Sequence, residues 1–333
     1  MRFWDFNRHI TSASILLAFG QHLGLNAQTL LAGSGLSESD LDVNLHPTGE
    51  LSAAQELQIV SNLMEHASVN IPLGLLCGKQ YGLTSFGLMG ESVRFSATLR
   101  DAAQMALRLI RLSYAFSLIS LHETQDHVVV TFGEPNLTTG MSRFLVERDM
   151  VACVNLVSEW SERSGLVRSV SFRFKSNGLD ASSFFEGHVP EYGARFNAIA
   201  FDKQAFNEPL RTADPIKAKE LEQVCASLID QRKRRIGVAQ QVEQYLRVPG
   251  LEIPDQPTMA RLMYMSERTL KRKLAEEGTT YREISANVRK KLAEDGLKNP
   301  KVSISALASR LGYADVSSFS QAFKRWFGVS PLS

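Results

Sequence analysis

Two short stretches carry side chains that can hydrogen-bond to nucleic-acid bases. Arg268, Thr269 and Arg272 lie in ERTLKRKLAEE, and Ser317, Ser318 and Gln321 lie in VSSFSQAFKRW. An arginine can donate two hydrogen bonds to the major-groove edge of guanine, while Gln, Ser and Thr suit other base edges. Lys271, Lys273, Lys324 and Arg325 flank these residues. Cations so placed suit phosphate oxygens, which attract them through counterion release.

Helical geometry sorts the two stretches into faces. At ~100° per residue, Leu270 and Leu274 share one side, as do Phe319 and Phe323. These pairs are expected inward, leaving Arg268, Thr269 and Arg272, or Ser317, Ser318 and Gln321, outward. Each helix follows a short apolar one (Met259–Met263; Ile304–Leu311) after a tight break, and closes on Gly278 or Gly328. Ser266 and Asp315 stand where N-caps belong. Helix, turn and polar-faced helix thus occur twice. Between them Thr280 and Glu283 form a capping box. A connecting helix is expected from Tyr281 to about Leu297, stopped by Asn299-Pro300. It would be roughly 25 Å long. Such a rod can set two helices into grooves ~34 Å apart.

The segments ARLMYMSERTLKRKL and ISALASRLGYADVSSFSQAFKRWFGVSP resemble the DNA-binding domain of the AraC/XylS family of bacterial transcription regulators. The resemblance implies an all-α domain with two helix-turn-helix units joined by a linker helix, reading double-stranded DNA at a promoter or operator. It implies activation with RNA polymerase as partner, and a cytoplasmic setting. Arg272 matches a base-contacting Arg of the family pattern. One departure exists: the family continues past its closing Ser-Pro with two residues and an aromatic-Arg pair, where this chain has Ser330-Pro331-Leu332-Ser333.

The net charge of +2 hides an asymmetry. From Arg232 onward there are 19 Lys and Arg against 10 Asp and Glu, whereas residues 1–231 hold 18 against 25. A basic half on an acidic half is expected when one half meets phosphates. Cys77, Cys153 and Cys225 are far apart and in no C-x-x-C spacing, which points to reduced thiols. No apolar run reaches the ~18 residues of a membrane span, so no membrane partner is expected.

Residues 1–206 are expected to form an α+β domain. Thr11–Leu23 and Leu51–Met64 read as helices, and the glycines from Gly74 to Gly90 as punctuation of a loop-like run. Thr98 caps a further helix. Phe116–His122 and Val128–Phe132 read as a hairpin, Met141–Ser161 as an apolar helix, and Val170–Phe174 and Asn197–Phe201 as strands. FGLMGESVRFSATLRDAAQMALRL and YGARFNAIAFDKQAFNEPLRTADP resemble the "arabinose-binding" N-terminal type of one branch of the same family. That resemblance implies sensing of an unidentified small-molecule effector, or homodimerisation. Arg94, Arg111 and Tyr114 are the candidate pocket residues, with a satisfied core or surface role as the plainer reading of each, and Met141–Trp160 is a candidate dimer helix, with a buried core helix as the simpler reading. Residues 207–235 are expected as linker and 236–333 as the DNA-binding domain. The basic run Arg232-Lys233-Arg234-Arg235 reads either as a solvated face or as a phosphate contact.

Enzyme chemistry finds no motif. None of the seven histidines stands at metal-ligand spacing, and there is no G-x-S-x-G elbow or phosphate-binding glycine loop. No metal or cofactor is expected. A DNA-repair methyltransferase fused to such a helix-turn-helix would need a reactive Cys, whereas Cys77 in LLCGK reads as a buried small hydrophobe. A DNA-binder without effector, repressing or architectural, would show the same C-terminal half.

Overall fold

The computed structural model describes residues 7–176, 178–297 and 302–331, and only the backbone of 233–235. The expected stop at Asn299-Pro300, the residues Leu332-Ser333, and the side chains of Lys233, Arg234 and Arg235 lie outside that description.

The chain begins with β1 (Arg8–His9), α1 (Thr11–His22), α2 (Ala27–Leu31), β2 (Glu50–Leu51) and α3 (Ala53–His66). Strands β1 and β2 pair antiparallel, a ribbon the sequence did not suggest. Helix α1 stops because Gly24 takes φ +87°. Helix α3 starts on a capping box between Ser52 and Gln55. Next come α4 (Leu73–Gly78), α5 (Gly87–Arg94) and α6 (Leu99–Arg108), the last capped by Thr98 as expected. Then follow β3 (Leu118–Glu123), β4 (His127–Gly133), α7 (Thr139–Ser161), β5 (Val167–Phe172), β6 (Glu191–Tyr192), β7 (Ala198–Asp202) and α8 (Lys203–Asn207). Five of these strands make one sheet in the order β3-β4-β7-β5-β6, parallel only between β5 and β6. Alternation works as expected: Val128, Val130 and Phe132 of β4 are buried, with Ile199 and Phe201 of β7 beside them.

The glycine-rich run is not a loop. It contains α4, a 3-10 turn at Leu83–Phe86, and α5. Its glycines let helices touch. A Cβ on Gly74 would lie 2.4 Å from the Phe144 carbonyl oxygen, and one on Gly78 2.7 Å from that of Arg148. Helix α4 thus lies directly against α7, a contact that only missing side chains permit. Helix α7 is buried on nearly every side, from Met141 through Trp160. A helix buried on nearly all sides belongs to a core, so of the two readings of its sequence the core helix holds and the dimer surface does not.

Helix α9 (Pro215–Arg235) starts on Asp214, with Pro215 at its first position. It fills most of the segment expected as linker. Ala218, Cys225 and Ile229 bury it in the same core as the sheet, and Arg108 pairs with Glu222 at 2.6 Å. The C-terminal half is α10 (Val238–Leu246), α11 (Gln256–Leu262), α12 (Glu267–Glu276), α13 (Tyr281–Leu297), α14 (Ile304–Arg310) and α15 (Val316–Phe327). It touches the first half through Gln244, whose amide donates to Asn7 Oδ1 at 2.9 Å. Within the first half, Arg232 of α9 lies 3.0 Å from Glu50 of β2.

The close approach of α4 to α7 predicts a contrast between two glycines. Gly74→Ala should cost about 1–3 kcal/mol, because backbone must move. Gly140→Ala, whose new Cβ would meet only Met64 Cε at 3.5 Å, should be neutral or slightly stabilising. Urea midpoints of the two variants check this, and equal midpoints would refute the packing argument.

Candidate nucleic-acid interface

The C-terminal half is built from two helix-turn-helix units hung on α13. In the first, Ser266 accepts from the Thr269 N–H at 3.1 Å and starts α12. Leu270 and Leu274 are buried beneath it. In the second, Asp315 Oδ1 accepts from the Ser318 N–H at 2.6 Å and starts α15, with Phe319 and Phe323 buried. The hydrogen bonds from the Ser318 backbone and hydroxyl hold the Asp315 carboxyl below the usual carboxylate range. Gly278 and Gly328 take φ +75° and +77° and close the two helices. The connecting helix opens on the expected box: Thr280 N–H donates to Glu283 at 2.9 Å, and Glu283 N–H to Thr280 at 3.2 Å.

The outward stripes are mostly where the periodicity puts them. Arg268, Lys271 and Arg272 are exposed on α12; Ser317, Ser318, Gln321, Lys324 and Arg325 are exposed on α15. Two residues are less free than expected. Thr269 is half-buried, with its hydroxyl 2.8 Å from Ser266 Oγ, so it belongs to the cap. Lys273 is also half-buried. The arginine stripe is partly self-paired along the helix, Arg272 with Glu276, and Lys271 with Glu267 at 2.7 Å. Exposed pairs of this kind contribute little, so a phosphate or guanine can displace the carboxylate.

The turns of the two units differ. Gly312 supplies the left-handed residue of the second, at φ +76°. In the first that conformation falls on Tyr264, at φ +52° and 81% exposed. The second turn is clamped from outside: Ile253 N–H donates to the Arg310 carbonyl at 3.1 Å, and Arg289 of α13 donates to the Leu311 carbonyl at 2.8 Å. A residue that the sequence did not single out holds the first unit to α10. The N-cap of α10 is Gly237, which has no side chain to offer. Instead the Glu277 carboxylate, at the end of α12, accepts from Val238 N–H at 2.7 Å and Ala239 N–H at 2.8 Å. Nothing local marks that contact, since the partners stand 39 positions apart.

The N-terminal half contains a second candidate site, a cavity of about 110 Å³ between α5, α6, α7 and the hairpin β3–β4. Of the three pocket candidates, Tyr114 lines it. Arg94 is exposed and 3.9 Å from Glu91, and neither it nor Arg111 reaches the cavity wall. The charged residues in the wall are Arg148 and Asp149, which were overlooked because they sit inside a helix that reads as apolar. Cys77 is buried, and burial pushes its thiol up to about 12. That is the behaviour of a packing residue. Among the described residues no helix is long and apolar enough to cross a membrane, and no cluster of His, Cys, Asp or Glu could hold a metal ion.

Residues 24–210 match the family described as the arabinose-binding domain of AraC transcription regulators, N-terminal, and residues 259–333 match a helix-turn-helix domain. An uncharacterized HTH-type transcriptional regulator of Mycobacterium tuberculosis is 30% identical over 97% of this chain and 95% of its own length. The ornithine utilization regulator of Pseudomonas aeruginosa is 26% identical over 97% and 94%. The crystal structure of the transcriptional regulator CdpR from Pseudomonas aeruginosa covers 82% of this chain and 90% of its own, at 25% identity and a TM-score of 0.41.

The Glu277 bridge is open to direct test. Glu277→Ala should cost about 1 kcal/mol, the usual value of a lost cap, and should speed amide exchange at Val238 and Ala239. Unchanged exchange at both amides would mean that solvent caps α10 equally well.

Proposed function

This chain belongs to the AraC-type transcription regulators whose N-terminal half is of the arabinose-binding kind, and from that premise we propose a sequence-specific activator that reads two successive major grooves. The observation that supports it is the pairing in each unit of a capped helix, a buried apolar pair and an exposed polar stripe. On this reading Arg268 and Arg272 face bases from the first unit, and Ser317, Ser318 and Gln321 from the second. Lys271, Lys324 and Arg325 contact phosphates, and Lys273 does so only with its outer end. RNA polymerase is the expected partner at the promoter, and the protein acts by binding without turning over a substrate.

The N-terminal half is proposed to sense a small molecule and to dimerise. With α7 buried, the dimer surface is better sought on α9, which presents Ile216 at 76% and Val224 at 53% exposure. Two chains double the contacts to a two-fold operator. Sedimentation at micromolar concentration should give a dimer for the parent chain and a monomer for the I216E/V224E variant. A parent chain that sediments as a monomer would remove the proposal.

The two stripes also predict a ranking. Arginine is always charged and can grip guanine with two hydrogen bonds, whereas the second stripe is neutral. Arg272→Ala should therefore cost ~1–3 kcal/mol on the operator and relax one base position, and Gln321→Ala should cost less. Circular dichroism should show both variants folded, because both side chains are exposed. A larger loss for Gln321→Ala would reverse the ranking.

A further inference from the structure

We propose that the cavity in the N-terminal half is a binding site for a compact hydrocarbon, the size of one six-membered ring and without polar groups. This rests on the reading of that half as the sensing half, and names the chemistry of what it senses.

The polar side chains of the wall are either spent or turned away. Arg148 is the only cation among the described residues of the wall. Its Nε and Nη2 donate to Asp149 Oδ1 at 3.0 and 2.9 Å, its Nη1 to Glu56 at 3.3 Å, and its Nη2 also to the Tyr114 carbonyl at 2.6 Å. Asp149 is equally occupied, its Oδ2 accepting from the N–H groups of Phe116 and Ser117 at 3.1 and 2.9 Å. Tyr114 donates to the Ser85 carbonyl at 2.9 Å, Ser113 to the Ile110 carbonyl at 2.7 Å, and Tyr81 lies 3.2 Å from Ser12 Oγ. The Trp160 Nε1–H is buried and shows no surface to the cavity. Burial pushes the Cys153 thiol up to about 12, so it offers no thiolate. An ion or a hydrogen-bonding ligand would shed its hydration here and gain no partner in return. Water fares no better, because a buried water needs about two to four polar partners.

What the wall offers is apolar contact. Phe86, Tyr114, Trp160 and Phe206 bring rings to it, and Met89 and Leu156 lie between them. Rings pack well against another ring, edge-on or offset, and a Met sulfur adds a favourable contact at a ring edge. An empty space leaves the wall atoms without dispersion partners on one side, and a hydrocarbon restores those contacts without desolvating any polar group. An apolar cavity of about 150 Å³ holds benzene, so about 110 Å³ suits one such ring and nothing larger. The way in lies between α6 and β3, where Ala103, Ala106, Ile119 and Leu121 line the cavity and are only half-buried.

The test uses three probes on the full-length protein: benzene, phenol and benzoate. Calorimetric titration should detect benzene, with phenol roughly tenfold weaker because its hydroxyl sheds water for no partner, and benzoate should not bind. The methyl resonances of Met89 and Ile119 should move with benzene, since both side chains line the cavity and a ring current acts on protons beside the ring. Ala106→Leu should abolish benzene binding by filling the space. Should Ala106→Leu fail to fold, the methyl shifts in the parent protein locate the ring by themselves. No benzene binding, phenol or benzoate as tight as benzene, unmoved Met89 and Ile119 methyls, or full benzene binding by folded Ala106→Leu would each overturn the proposal. Operator affinity measured with and without benzene keeps the two readings apart. Benzene that binds as described but leaves operator affinity unchanged supports the site and sinks the sensing role.

Discussion

Arg148 is a charge that the N-terminal half cannot leave unpaired. It is 1% exposed, near the midpoint of α7. Burial works against its guanidinium, but Asp149, Tyr81 and Glu56 outweigh that and hold it charged, above its ordinary range. Removing one partner from such a cluster strands the others, at a cost of several kcal/mol, so each partner must be held in place. Those partners come from segments distant in sequence. Glu56 is on α3 and also accepts from Ser12 of α1 at 2.6 Å; Arg8 of β1 approaches it at 3.8 Å and lies over the Phe116 ring at 3.7 Å. The backbone of 114–117 supplies two acceptors, the Tyr114 carbonyl to Arg148 and the Ala115 carbonyl to Arg8, and two donors to Asp149. One buried ion cluster therefore fixes the entry to the hairpin, β1, α1, α3 and α7 relative to one another.

That arrangement explains why α7 has no solvent face. One side packs with the helices of the first hundred residues, where Phe144, Leu145 and Ala152 belong, and the other with the sheet, where Val146, Met150 and Val154 belong. Two cores meet on one helix, and the ion cluster marks their seam. Buried charge is weak evidence for stability, because apolar residues of the same volume often serve as well. What the pairing does impose is register: Glu56 meets Arg148 at 3.3 Å, and sliding α3 along α7 would break that contact.

The sequence showed the C-terminal half almost completely and the N-terminal half only in outline, for a physical reason. Ser266, Asp315, Gly278, Gly328 and the Thr280–Glu283 box act within three or four positions of themselves, so local spacing is enough to find them. The strands also announce themselves by alternation. What went unread joins distant residues. Arg148 and Glu56 stand 92 positions apart, and β7 enters the sheet between β4 and β5 with nothing in its own residues to say so. Gly74 and Gly78 look like loop punctuation because local reasoning counts only their entropy. Their worth is set by the carbonyls of a helix some 70 positions on. Arg94 and Arg111 drew attention as polar residues among apolar ones. The arginine that lines the cavity was hidden because it lies within Met141–Ser161, which reads as an apolar helix.

The ion cluster also bears on how a cavity could speak to the DNA-binding half. Arg148 and Asp149 stand in the cavity wall, and Arg148 reaches through the seam to Glu56 on α3. The neighbouring residues Ala54, Gln55 and Gln58 of α3 form one side of a polar cleft of about 290 Å³, whose other side is Gln240 and Gln244 of α10 and Lys291 of α13. Helix α10 is in turn tied to the end of α12 through Glu277, and α13 carries the second unit. A ligand changes this system only by its difference in affinity between two arrangements. Close-packed elements favour discrete arrangements over gradual ones. Helix α7 is pressed against α4 at Gly74 and Gly78, so it has little room to yield toward that side. Displacement caused by an occupant would fall instead on the seam with α3, where polar contacts through the cleft can exchange partners at small cost. The Gln244 amide, bonded to Asn7 on one side with its oxygen left over, is the contact best placed to register such a change.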